Sequence, residues 1–268
     1  EPLPRLVDCR RVGDELNVVM EYVEGETLEA LVGRLGATPD YARELFVALC
    51  DAAEELHAGF ELAGETPVPV IHRDLKPSNI IVSGARYAPD AGMTFSSLVI
   101  IDLGIARVWR EGADSDTVKF GTRPYAPPEQ YGFGQTSVRS DVYALGALLF
   151  FCLTGTDPKL GRDMREQCEA CDVPALLADV ICMAMALDPA KRFASAKALG
   201  YAVRAAYGLC LPESGSIGAT GPSVTQVAPQ TAPSFERQSK GASPVVPCRM
   251  SLLSRIPEPI GRIWNGFI

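Results

Sequence analysis

Apolar residues recur along this chain with more than one period. Between Thr38 and Gly59 they fall at Leu45, Leu49, Ala52, Ala53 and Leu56, the spacing of one helix face, and Thr38-Pro39-Asp40 supplies the start signals of a helix. From Val142 to Leu153 the chain runs through 12 apolar or small residues with no polar face. About 20 are needed to cross a bilayer, so this stretch predicts a helix buried in a protein core. Shorter runs at Asn17–Tyr22, Ile80–Val82 and Leu98–Ile101 predict strands, the first of them alternating like a buried strand. Ser83–Ser97, which holds Gly, Pro and Asp, predicts an extended hairpin tip, and Gly59 to His72 a surface loop.

The pattern changes after Cys210. Residues 212–249 are rich in Pro, Ser, Gly, Thr and Ala with few large apolar side chains. They cannot bury enough surface to offset ordering entropy, which predicts a disordered linker. Residues 250–268 return to apolar character, with Leu252, Leu253, Ile256, Ile260, Ile263, Trp264, Phe267 and Ile268 interleaved with arginines. This segment reads either as a short interfacial helix or as the approach to a membrane span; Pro257 and Pro259 interrupt any single long helix.

The 268 residues, 47% of them hydrophobic, suit one helical lobe with appendages. A net charge of −8 argues against a nucleic-acid partner, which requires a basic face. The eight cysteines are dispersed, as reduced thiols of a cytoplasmic domain are. Cys168 and Cys171 form a lone Cys-x-x-Cys with no second pair, whereas a zinc site needs four ligands. There is no signal-peptide pattern and no internal repeat.

The chemistry concentrates in two short segments. Residues 72–79 read His-Arg-Asp-Leu-Lys-Pro-Ser-Asn, and after an apolar run comes Asp102-Leu103-Gly104. An aspartate can accept a hydroxyl proton, a lysine can neutralise a transferring phosphoryl group, and an asparagine with a second aspartate can supply oxygen ligands for magnesium. The eight-residue string resembles the catalytic loop of protein kinases, and Lys76-Pro77 resembles the serine/threonine branch. The likeness extends over about residues 3–210, with its parts in the family's order. Gly-Ile-Ala-Arg at 104–107 and Pro-Glu-Gln at 128–130 resemble bacterial members.

The resemblance implies an α+β protein-kinase-like fold, mainly the helical C-lobe with a remnant of the N-lobe sheet. Residues 1–24 would be that remnant and the hinge, and 25–211 the C-lobe. It implies ATP and Mg2+, with Mn2+ as a substitute, and protein substrates. Asp74 would be the base, Lys76 the cation facing the γ-phosphoryl group, and Asn79 and Asp102 the metal ligands. Met20 would be the gatekeeper, and backbone groups of Glu21 and Val23 would bind the adenine edge. The activation segment would run from Asp102 to Glu129, with Thr122 bonded to the catalytic residues and Ser115 and Thr117 as candidate phosphosites facing Arg73. Asp141 would brace the catalytic loop, and Glu129 would pair with Arg192. His57 reads as a helix-terminal residue that caps or packs.

The sequence departs from the family in its first residues. No glycine-rich phosphate loop, strand lysine or partner glutamate occurs before residue 17. The expectation is a kinase shortened at its N-terminus and weakly active as it stands; the alternative is a pseudokinase that serves as a docking module. Aminoglycoside-type phosphotransferases share a similar lobe, but Arg73, Lys76 and Glu129 argue against them. A homodimer of the full-length protein and membrane attachment beyond the C-terminus are further expectations.

Overall fold

In the computed structural model, which describes residues 2–12, 15–59, 67, 69–88, 92–103, 106–108, 122–132 and 134–210, the chain opens with a ribbon. Strands β1 (Leu6–Val12) and β2 (Glu15–Met20) pair antiparallel, with Cys9 opposite Val18 and Arg10 opposite Asn17. β2 lies where alternation predicts a strand, yet it is not buried: Val18, Val19 and Met20 are 47%, 43% and 38% exposed. The strand count explains the difference. A two-stranded ribbon has no second layer to cover its apolar side chains, and such a ribbon is marginally stable alone.

β3 (Glu26–Thr27) leads into α1 (Leu28–Leu35), whose start is capped by Thr27 Oγ1 accepting the Ala30 N–H at 3.1 Å. The predicted amphipathic helix is α2 (Pro39–Ala58); Leu45, Leu49, Ala53 and Leu56 all face the core. Strands β4 (Val70–Ile71) and β5 (Ile80–Ser83) flank the 72–79 segment. The predicted hairpin insertion is built from β6 (Arg86–Ala88) and β7 (Gly92–Thr94). It packs on α2, where the Tyr87 ring meets Tyr41 edge-on at 5.7 Å and Met93 is buried.

β8 (Ser97–Ile100) completes a three-stranded sheet in the order β3-β5-β8, and β9 (Arg107–Val108) turns back to pair with β4. β8 and β9 thus pair with the two strands that flank the 72–79 loop, β5 and β4. This topology sets Ile101, the residue before Asp102, against Asn79, its N–H donating to the Asn79 carbonyl.

The buried apolar run forms α3 (Val138–Thr154), started by a Ser137/Ser140 capping box. Every residue from Ser140 to Leu153 is buried. α4 (Met164–Ala170), α5 (Ala175–Ala184) and α6 (Ala196–Cys210) complete the lobe, with α2, α3, α5 and α6 packed on one another. Gly146 makes the α3–α5 contact close, because a Cβ there would lie 2.7 Å from that of Ala184. Among the described residues no helix is long and apolar enough to cross a membrane. The expected linker and terminal apolar segment lie outside the described residues.

Candidate active site

The site is assembled on three local features: the loop between β4 and β5, the turn after β8, and the segment before α3. Among the described residues only Arg73, Asp102 and Asp172 are non-glycine positions with positive φ, at 70°, 66° and 54°. Two of the three lie in this site. A side chain in the left-handed region costs about 1–3 kcal/mol and persists where surrounding bonds over-determine it.

Those bonds converge on Asp141, fully buried near the start of α3. Its Oδ2 accepts the His72 N–H at 2.8 Å and His57 Nε2–H at 2.8 Å, and its Oδ1 accepts the Arg73 N–H at 2.9 Å. His57 Nδ1 is buried with no hydrogen-bond partner, which fits a tautomer carrying its proton on Nε2. His57 thus extends the bracing of the catalytic loop. Its signal in the sequence is one polar residue at the end of α2, and only the fold reveals its partner.

Burial pushes the Asp141 carboxyl up, but the His57 hydrogen bond, the nearby His57 and His72 and the Arg73 N–H outweigh it and hold it below its ordinary value of 3.8. A depressed folded-state value stabilises the protein above the unfolded-state value, and this contribution is lost as the pH falls through the folded one. Asp141→Asn should therefore destabilise the protein most above about pH 5, where the wild-type carboxylate is charged in both states. The gap between the two urea midpoints should narrow on going to pH 3. An equal gap at both pH values would show that the charge of Asp141 contributes nothing.

His72 ties the 72–79 loop to the turn after β8. Its Nδ1 accepts the Asp74 N–H at 3.3 Å, and its Nε2–H donates to the Ile101 carbonyl at 3.1 Å. The Ile101 N–H in turn donates to the Asn79 carbonyl at 2.8 Å. The residue before Asp102 is thereby bonded to the catalytic loop from both of its backbone groups.

Both oxygens of Asp74 are engaged. Lys76 Nζ and Asn79 Nδ2 donate to Oδ2 at 2.7 and 3.2 Å; Thr122 donates to Oδ1 from its hydroxyl at 3.0 Å and its N–H at 3.3 Å. Asn79 Nδ2 also donates to the Asp74 carbonyl at 2.9 Å. The amide nitrogen of Asn79 is thus spent on Asp74, which turns its carbonyl oxygen to other use. Asp102 is exposed, and its carboxylate and the Asn79 carbonyl oxygen are both of the oxygen-donor type that magnesium prefers.

The segment that carries Thr122 is anchored at its far end. Glu129 is buried and receives Arg192 bidentately, Nη1 to Oε1 at 2.7 Å and Nη2 to Oε2 at 2.9 Å. Ser140 Oγ donates to the same Oε1 at 2.7 Å. The remaining N–H groups of Arg192 reach the carbonyls of Ala186, Arg139 and Leu187. Nearer the catalytic loop, the buried Tyr125 hydroxyl donates to Asp157, and Gln130 Nε2 donates to the Arg73 carbonyl at 2.7 Å. Neither pairing has a local sequence signal.

Of the residues expected at an adenine site, Met20 and Glu21 are exposed and Val23 is half-buried; the Glu21 N–H donates to the Arg5 carbonyl at 2.9 Å. Ser115 and Thr117 lie outside the described residues, as does Gly104.

The 72–79 loop, the turn after β8 and the segment anchored by Glu129 are held together by these bonds in the arrangement of a protein kinase lobe. The chain belongs to the protein kinase family: the protein kinase domain matches residues 3–199. Serine/threonine-protein kinase PknB of Mycobacterium tuberculosis is 35% identical over 148 residues, which are 54% of this chain and 21% of that protein. A probable serine/threonine-protein kinase of Clostridium perfringens is 31% identical over 216 residues, covering 72% of this chain and 28% of the relative. The chain thus spans less than a third of the length of these curated relatives. The crystal structure of the M. tuberculosis PknI kinase domain has the same fold, with a TM-score of 0.54 at 20% identity over 77% of this chain and 73% of that one.

Proposed function

We propose that this lobe performs the chemical step of an ATP-dependent serine/threonine protein kinase. The observation that carries the reading is the engagement of Asp74, whose two oxygens are held by Lys76 and Asn79 on one side and by Thr122 on the other. In that frame the Asp74 carboxylate orients a serine or threonine hydroxyl and takes its proton. The hydroxyl oxygen forms a bond to the γ-phosphorus as the bond to the ADP oxygen breaks. Lys76 neutralises charge on the transferred group, which is electrostatic stabilisation at the place where charge develops. Asn79 and Asp102 would hold magnesium, which supplies neutralisation of the phosphate oxygens. For the adenine edge, the Glu21 N–H is already used, so its carbonyl and the Val23 backbone are the groups we assign, with Met20 as gatekeeper.

These residues form one half of a kinase constellation. Efficient transfer also needs a phosphate-covering loop and a lysine–glutamate pair, and the sequence contains neither before residue 17. We assign the exposed apolar side chains of the β1–β2 ribbon as the surface on which such a roof would rest. The chain as it stands should therefore transfer phosphate far below the usual rate of about 1–100 per second. Placing the roof-forming strands and helix of a related kinase ahead of residue 1 should raise that rate and make it magnesium-dependent. A chain active without the addition would refute the half-site argument. A fused protein that binds no nucleotide would favour the docking-module reading.

Ser115 and Thr117 are the hydroxyls we assign to regulatory phosphorylation, with Arg73 as the cation that pairs with the phosphate. Mass spectrometry of active enzyme should find phosphate on one of them; an unmodified segment in fully active enzyme would remove this role. Reduced thiols, protein substrates and the acidic net charge are consistent with a cytoplasmic domain that does not bind nucleic acid.

A further inference from the structure

The peptide unit between Arg73 and Asp74 is pinned at both of its polar ends. Its carbonyl accepts Gln130 Nε2–H at 2.7 Å, and its N–H donates to His72 Nδ1 at 3.3 Å. The peptide unit before it is fixed through the Arg73 N–H on Asp141 Oδ1 at 2.9 Å. Between these two units sits Arg73 with φ of 70°, in the region that residues with a side chain avoid. Of the three partners, His72 is the immediate neighbour of Arg73 and Asp141 lies on α3. Gln130 alone comes from the segment whose other end delivers Thr122 to Asp74. Gln130 is 1% exposed, in a 3-10 turn (Pro128–Tyr131) beside Glu129, so the Arg192 ion pair fixes the turn that presents it.

We infer that Gln130 is a positioning residue that holds the left-handed Arg73 peptide, and with it the backbone of Asp74, in register with the segment that carries Thr122. This deepens the kinase reading: it makes the placement of the base depend on the seating of the substrate-side segment. When that segment is unseated, the Arg73 carbonyl loses its donor, and the strained residue can relax toward the ordinary α or β region. Asp74 then turns with the peptide plane. A strained conformation held by a bond from a separate segment is a two-position element of the kind that switches require.

The test uses the full 268-residue chain and two substitutions of similar shape that remove the N–H donor, Gln130→Met and Gln130→Glu. Site-resolved hydrogen exchange should show the Asp74 amide exchanging at least about tenfold faster in both, since its peptide plane is no longer fixed at the carbonyl end. Amides in α3 and α6 should be unchanged. In the roof-completed enzyme, kcat should fall about tenfold with KM for ATP within about twofold, the signature of lost positioning rather than lost binding. Unchanged exchange at Asp74 in whichever variant folds would overturn the inference, as would faster exchange accompanied by unaltered kcat. An inactive roof-completed wild type would instead sink the kinase reading, and the exchange result would still decide whether Gln130 holds the Arg73 peptide.

Discussion

Asp74→Asn in the roof-completed enzyme should lower kcat by about 10² to 10⁴, the usual contribution of a positioned base. The amide keeps an oxygen that can accept the Thr122 hydroxyl, so the loop should hold its place. What disappears is the charge that receives the substrate proton and pairs with Lys76 at 2.7 Å. KM for ATP should change little, because no contact to nucleotide is assigned to this side chain. The affected quantity is transition-state stabilisation, which appears in kcat and kcat/KM equally. Steady-state kinetics of the two proteins under matched magnesium checks this, and a loss smaller than tenfold would remove Asp74 from the role of base.

The second large effect concerns stability. In Arg192→Met the Glu129 carboxylate stays buried with its ion-pair partner gone, and breaking a buried pair from one side costs about 3–5 kcal/mol. All five guanidinium N–H groups of Arg192 are engaged, and the guanidinium also lies 5.0 Å from the Tyr143 ring centroid, so the substitution strands three carbonyls as well. For a lobe of this size a change of that magnitude lowers Tm by roughly 6–20 °C. The double variant Glu129→Met/Arg192→Met should recover a substantial part of the loss, since the uncompensated charge is gone. Thermal denaturation followed by circular dichroism distinguishes these cases. A single variant within about 1 kcal/mol of wild type would show that the pair is not what anchors the segment.

Much of this site is legible in the sequence because its polar residues are contiguous. Asp74, Lys76 and Asn79 lie within six positions of one another, and a short loop between two strands can hardly separate them. Asp102 follows an apolar run that reads as a strand, and the pairing of β5 with β8 brings it back to the loop. The long-range partners are legible only through the family resemblance, as with Glu129 and Arg192, or not at all. His57 gives no hint that it bonds Asp141, 84 residues away, and Gln130 none that it reaches the Arg73 carbonyl, 57 residues back. Side-chain bonds of this separation leave no periodicity. β4 and β9, at two residues each, are too short for alternation to register. β2 shows the opposite failure, since alternation identifies the strand but not whether anything covers it. Its burial depends on neighbouring strands rather than on its own residues.

Transfer of the γ-phosphoryl group to serine or threonine through the Asp74, Lys76 and Asn79 arrangement, as proposed, is tested by phosphoamino-acid analysis of a protein substrate labelled from γ-labelled ATP by the roof-completed enzyme, with the Asp74→Asn enzyme run alongside. The predicted result is label on serine or threonine, dependent on magnesium and nearly absent with Asp74→Asn. Label on tyrosine alone, or equal labelling by both enzymes, would contradict the account.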